Sequence, residues 1–576
     1  MTTARRLACL LLLVGVPALA QGPLEPSRLP PDTNFYIFWR GTAALGSARS
    51  TNTLLKMWSD PGSLRAREAL VEALYSSAKK KQSSEPLNSE ELGQLLSLVE
   101  NPVVVGVTGS FLVPGVGRGG SGGGEAASQP TGSFVIYDAT GKEEILRKLQ
   151  EFLLSQAKDR PIITSYAFGP TTVEKVVWPN ETYYRTRVGP YAIRAGQQAL
   201  VEDLITRLRS PEKPAASLEG AADYQAAQKK IDAGATLVFF GRAPDLGKIT
   251  FPTKEGFDAG AFVRALHLER LHAVVGSLSF SGEATRFRGA ALGDTSPGSV
   301  FDLVGESSPA FATLTLAPAG LTSYSAGRVN LLGVYQVLRS ALEAALPPKQ
   351  RMNMELIEAV LANQIEMKIP VALELLRGEV ASMTISNDFD PLSQLYAATI
   401  HKQPEVLKLL RTVLGRVISD EEQEGDTTYL KLSTPSPDPK HSQPPRVYYV
   451  AVTPQTLLVA PRRDLLKGAT ARSASKDAPA GSLAADAAFR RARARLPENL
   501  SSLGYADFTR IQWEKVIDGL REGIMKKANS SSSASLDRAA DSLKKVLPDV
   551  LRRHLHGTIN GMWKGRDGVH FDGYIE

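Results

Sequence analysis

His554, His556 and His570 form the one histidine cluster in this chain of 576 residues. If 554 and 556 lie on a strand they share a face, and a hairpin partner can bring 570 beside them, an arrangement that binds divalent metals. A metal needs enough ligands as well as proximity. No carboxylate stands as a clear third ligand, and only His556 has a counterpart elsewhere, His272. Exposed or packing histidines on an edge strand are therefore the expectation. His267 and His272, in HLERLH, have the wrong order and spacing for the His-Glu-x-x-His zinc helix.

Other reactive patterns fare no better. Ser-x-x-Lys occurs at Ser76–Lys79, Ser473–Lys476 and Ser542–Lys545, without the Ser-Asp-Asn and Lys-Thr-Gly elements such enzymes also need. The run GVGRGGSGGGE (115–125) is rich enough in glycine to cradle a phosphate, but polar linker and another strand follow it where a phosphate loop needs a helix. Glu90-Glu91, Glu143-Glu144 and Glu421-Glu422 could pair as acid and base, yet they fall on helix surfaces or in loops rather than across a cleft. Arg490, Arg491, Arg493 and Arg495 form a basic helix face around a buried stripe of Phe489, Ala492 and Leu496, and read as solvated. Asn180 and Asn529 sit in glycosylation sequons. No catalytic, cofactor-binding or metal residue is assigned, and no cofactor is expected.

The first twenty residues read as a secretory signal. Arg5 and Arg6 precede a short apolar run, Leu7 to Val16, and Ala18-Leu19-Ala20 offers a cleavage site before Gln21. Cys9, the only cysteine, would leave with it, which excludes disulfides and thiolate sites from the mature chain. No later stretch reaches the ~18 to 20 apolar residues of a membrane span. The formal charge of +7, or +5 without Arg5 and Arg6, is mild for this length and argues little about nucleic-acid or membrane partners; together with export it leaves no nucleic acid expected. A periplasmic or secreted location follows.

What must position any site is an internal repeat of long period. YYRTRVGPYAIRA from Tyr183 meets YYVAVTPQTLLVA from Tyr448 at a shift of 265. At that shift Arg207 meets Arg472, Ser217-Leu218 meets Ser482-Leu483, and Tyr224 meets Phe489. Upstream, SFVIYDATGKEEILRKLQEFL (133–153) resembles QLYAATIHKQPEVLKLLRTVL (394–414) at a shift of 261. Downstream, Leu271, His272, Phe287 and Gly289 meet Leu555, His556, Phe571 and Gly573 at a shift of 284. The growing shift points to an insertion near Asn529 to Ser535.

Each copy reads as an opening strand, helices, a strand, a strand–helix unit, a hairpin on the paired tyrosines, a second amphipathic helix and a closing hairpin. The opening strands are expected at NFYIFWRG (34–41) and AFATLTLA (310–317). Met354, Ile357, Leu361 and Ile365 in one copy, and Leu64, Leu70, Val71 and Leu74 in the other, sit at helical spacing and mark one apolar helix face in each. Ser433 to Pro445 is a Pro-rich loop. The spacing predicts an α+β protein of two tandem diverged repeats, 21–297 and 298–576, after a signal at 1–20. Each repeat should be a mainly antiparallel sheet with helices packed on one face.

LPPDTNFYIFWRG, SFVIYDATGKEEILRKL, the Tyr-Tyr hairpin and the following Ser-Leu resemble a large family of exported bacterial proteins whose domain has no known function. The resemblance covers most of the mature chain and implies the same strand–helix–hairpin order twice. In the second copy the opening Leu-Pro-x-Asp is replaced by SSPAF. The family lends no activity. The expected function is a non-catalytic exported protein that binds a protein or envelope ligand, and the alternative is a hydrolase of cell-envelope polymers.

Overall fold

In FYIFW (35–39), Tyr36 and Phe38 share a core with Val104, Ile136, Val238 and Phe240, so alternate residues line one face of a sheet. The computed structural model describes residues 24–42, 45–67, 97–109, 132–155, 160–179, 181–243, 257–376, 378–386, 391–434, 446–473, 480–519 and 533–576. The signal 1–20, the run 115–125, Glu90-Glu91, Ser76–Lys79, Leu70, Val71, Leu74, Lys476, Asn180, Asn529 and most of 433–445 lie outside them.

Helix and strand are mixed around one large antiparallel sheet of 20 strands. The first ten are β1 (Thr33–Trp39), β2 (Val103–Thr108), β3 (Ser133–Asp138), β4 (Ile162–Phe168), β5 (Thr171–Trp178), β6 (Glu181–Val188), β7 (Tyr191–Ala195), β8 (Leu237–Arg242), β9 (Leu271–Ser281) and β10 (Ala284–Gly293). The rest are β11 (Ser323–Val329), β12 (Gly378–Thr384), β13 (Gln394–Thr399), β14 (Ile418–Glu424), β15 (Thr427–Thr434), β16 (Arg446–Val452), β17 (Thr456–Ala460), β18 (Ser502–Asp507), β19 (Gly557–Gly565) and β20 (Gly568–Ile575). From one edge the neighbours run β4-β5-β6-β7-β3-β2-β1-β8-β9-β10. The ladder continues β20-β19-β18-β11-β12-β13-β17-β16-β15-β14. Taking ten from each label of the second series gives the first series read backwards.

The two series meet at β10 and β20, paired from Thr285–Ile575 to Leu292–Gly568 with Arg288 opposite Asp572. Phe287 lies opposite Gly573, and Gly289 opposite Phe571. Each ring lies over the glycine across from it, where a Cβ would collide with ring carbons. Glycine is needed at both positions for close approach.

Around the sheet stand α1 (Thr53–Ser59), α2 (Glu143–Ser155), α3 (Gln198–Arg209), α4 (Ala222–Gln228), α5 (Ala259–Ala265) and α6 (Leu331–Ala345). They are followed by α7 (Pro348–Gln364), α8 (Ile369–Leu375), α9 (Gln403–Leu414), α10 (Arg463–Ser473), α11 (Ala487–Arg493) and α12 (Ser533–His554). Helices α5 and α12 cross the junction in opposite directions. Helix α5 packs on α6, and α12 packs on α1. The Asp258 N–H donates to Ala345 O at 2.9 Å at the first crossing. At the second, Asp60 accepts from Arg553 at 2.9 Å and from His554 at 3.1 Å.

The helices occupy both faces of the sheet, not one. Val201, Leu204 and Tyr224 of α3 and α4 join Tyr36 and Val238. Leu466, Ala469 and Phe489 of α10 and α11 likewise join Tyr429, Ala451 and Leu458. Val406 and Leu407 of α9 instead meet Leu430, Leu432, Val450 and Val452, the alternate residues of the same strands. In β16 both Tyr449 and Ala451 on one side and Val450 and Val452 on the other are apolar, and β15 adds Tyr429 to the first and Leu430 and Leu432 to the second, so both faces demand cover.

One further expectation is corrected. AFATLTLA is no strand: Ala312–Thr315 is a 3-10 turn, and the strand begins at Ser323. The buried carboxylate of Glu379 holds that turn, accepting from the amides of Ala312 (2.7 Å) and Thr313 (2.9 Å) and from the Thr313 hydroxyl. The apolar stripe of α7 is not core, since Ile357 is 59% and Leu361 43% exposed. The helix instead turns Glu358 inward, onto Arg339 and Tyr335 of α6. The long helix α12 stands before β19 where the shorter α5 stands before β9.

Candidate functional site

A cleft of about 850 Å³ opens beside the β10·β20 junction and is lined by residues of both series. One wall is apolar, from Leu45, Ala48 and Phe280. The floor is a charged network. Arg286 grips Asp572 with two guanidinium nitrogens and reaches Asp232 at 3.0 Å. Asp572 is only 3% exposed, which makes the two-pronged pairing matter: a buried carboxylate needs it. Two cations approach the Tyr574 ring, with Arg286 Cζ at 5.4 Å and Arg495 Cζ at 5.6 Å from its centroid. Burial pushes the Tyr574 phenol above its ordinary value, and the nearby Asp572 charge acts in the same direction. Arg495 also pairs with Glu576. Ser279 Oγ, in the same cleft, is buried and has no hydrogen-bond partner among the described residues. Glu283 stands exposed at the rim.

This arrangement suits recognition of a planar or charged group held against Tyr574. Charged groups beside an apolar wall are what ligand clefts commonly combine.

The histidines do not converge. His554 ends α12 rather than lying on a strand with His556, and it bonds Asp60. His570 lies on β20, stacked on Trp563 at 5.4 Å between ring centroids and bonded to Asp567 at 2.9 Å. His267 bonds Glu269 at 3.0 Å. Among the described residues no cluster of three ligating side chains could hold a metal. Glu143 and Glu144 pair with Arg187 and Arg147 on an exposed helix, and Glu421 and Glu422 pair with Arg411 and Arg463 on the outer strand β14. The Ser542–Lys545 pair lies along α12. The basic face of α11 is not simply solvated. Arg493 donates to the carbonyls of Pro497 (2.7 Å) and Glu498 (2.6 Å), and Arg495 enters the cleft. Asp232, Arg286, Asp572 and Tyr574 were invisible to motif reasoning, because only the pairing of β10 with β20 brings them together.

His570 gives the junction a pH dependence. Burial pushes its imidazole below the ordinary value, against the pull of Asp567. The unfolded chain therefore takes up a proton near pH 6.5 while the folded chain does not. Stability is unaffected above about pH 6.5 and falls as pH drops below it, by at most ~1.4 kcal/mol per pH unit until the folded group titrates. Urea unfolding of the wild type and of His570→Gln between about pH 8 and 5 should show a shallower acid slope in the variant. Equal slopes would remove His570 from this account.

No family model, no curated protein and no solved structure matches the chain. Among the described residues no helix is long and apolar enough to cross a membrane.

Proposed function

We propose that this is an exported, non-catalytic protein that binds a protein or envelope ligand in the junction cleft. The observation that carries the reading is the cleft at the junction, where Arg286 and Arg495 approach the Tyr574 ring beside an apolar wall and both series of strands contribute. The unit behind it is duplicated, with copies at 21–297 and 298–576 following a signal at 1–20. Three features support duplication: the recurring strand order, the reciprocal α5 and α12 crossings, and the mutual Phe-over-Gly contacts. A symmetric pairing of like with like is how two copies of one chain associate. The family resemblance points the same way and belongs to the same proposal.

A photo-crosslinking residue at Glu283 tests the site. It should capture one specific component from the native envelope, and Arg495→Ala with Tyr574→Ala should reduce capture about tenfold, the worth of a cation–π contact of ~1.4 kcal/mol. Capture indifferent to both changes places binding elsewhere.

The hydrolase reading has one observation in its favour: Asp232 and Glu283 both line the cleft, and glycoside cleavage needs two carboxylates. Recovery of shortened glycan, lost in Glu283→Gln, would select it.

A further inference from the structure

We infer that β4 is a docking edge on which a second copy of this chain adds its own β4, antiparallel, to extend the sheet. Among the described residues β4 pairs only with β5, so its other side is open. Ile162 is 67% and Ile163 42% exposed. The strand, IITSYAF, contains no charge and no proline. An open edge of that kind is an invitation to pairing, and proteins ordinarily guard it with charge.

The same chain shows the guard in place at its other end. Strand β14 reads ISDEEQE, with Asp420, Glu421, Glu422 and Glu424 along it. Pairing β4 with β14 of another copy would lay an apolar strand on that acidic row, and carboxylates resist being taken from water. This argues against head-to-tail growth and leaves β4 with β4.

Self-pairing is favourable in register. Centred on Ser165, it sets Ile162 opposite Phe168, Ile163 opposite Ala167, and Thr164 opposite Tyr166. Apolar meets apolar, and no like charges face each other. The arrangement closes after two chains, because the same patch serves both. The chain already contains an antiparallel edge-to-edge joint of this kind, between β10 and β20. A single strand of seven residues is a small interface, so the dimer should be weak, with dissociation on the order of micromolar.

Sedimentation equilibrium of the full chain from about 1 to about 100 µM should show the mass doubling across that range. Ser165→Glu puts two like charges at the dyad and should hold the chain monomeric with an unchanged circular dichroism spectrum. In a Cys9→Ala background, Ser165→Cys should form an intermolecular disulfide on mild oxidation, while Glu421→Cys on β14 should not. A monomeric wild type at every concentration overturns the inference. So does a folded Ser165→Glu variant that still dimerises, or cross-linking at 421 and not at 165.

Discussion

Gly573→Val should destabilise the protein by about 3 kcal/mol, at the upper end of what overpacking costs. The reason lies at the joint between the two series of strands. The Phe287 ring rests where the Gly573 side chain would begin, and even a Cβ collides with three of its carbons. Valine adds two methyl groups beyond that Cβ. Neither strand has room to withdraw, because β10 is held by β9 on its other side and β20 by β19. Urea unfolding measures the loss. The double variant Phe287→Ala, Gly573→Val should recover part of it, with a coupling of about 1–3 kcal/mol. A single variant as stable as the wild type would show that the ring does not cover the glycine.

Glu379→Ala should cost a further class of stability, about 3–5 kcal/mol, because it strips the acceptor from a buried polar cluster. Two amides, Ala312 and Thr313, and the Thr313 hydroxyl would lose their acceptor together. Thr313 also bonds the Tyr324 hydroxyl at 2.8 Å, and Arg328 lies 3.9 Å from the carboxylate. The Tyr324 phenol is pushed well above its ordinary value, first by burial and then by the Glu379 charge, so it stays protonated and able to donate. Glu379→Gln keeps one carbonyl oxygen and should lose roughly half as much as the alanine variant. Denaturant unfolding of both variants ranks them, and a loss under about 1 kcal/mol for alanine would mean that water replaces the carboxylate.

These two sites also show what a sequence can carry. The units β3–α2 and β13–α9 were legible because alternation followed by a helical stripe is local. The paired tyrosines marked real hairpins, β6–β7 and β16–β17. AFATLTLA alternates as a strand should, but its turn is dictated by Glu379, more than sixty residues away. The stripe of α7 has helical spacing, yet spacing alone does not say which side meets the protein. Glu358, caught by Arg339, decides that. At the cleft, Phe287 and Gly289 matched Phe571 and Gly573 in sequence. The same four residues mark where the two series of strands touch. Asp232, Arg286, Arg495 and Tyr574 carried no signal, since their chemistry arises from a pairing between strands 284 residues apart in equivalent positions.

The unbroken ladder across β10 and β20 bears on how a ligand would enter. Two-lobed binding proteins commonly close on a hinge, and their affinity is reduced by the work of closing. Here the floor of the cleft is hydrogen-bonded sheet from Thr285–Ile575 to Leu292–Gly568, with a helix clasped across the joint in each direction. No connecting loop is left between the halves at that point to bend. A ligand bound in such a cleft would meet preorganised shape, and selectivity would then be set by what fits the floor rather than by what can trigger a movement.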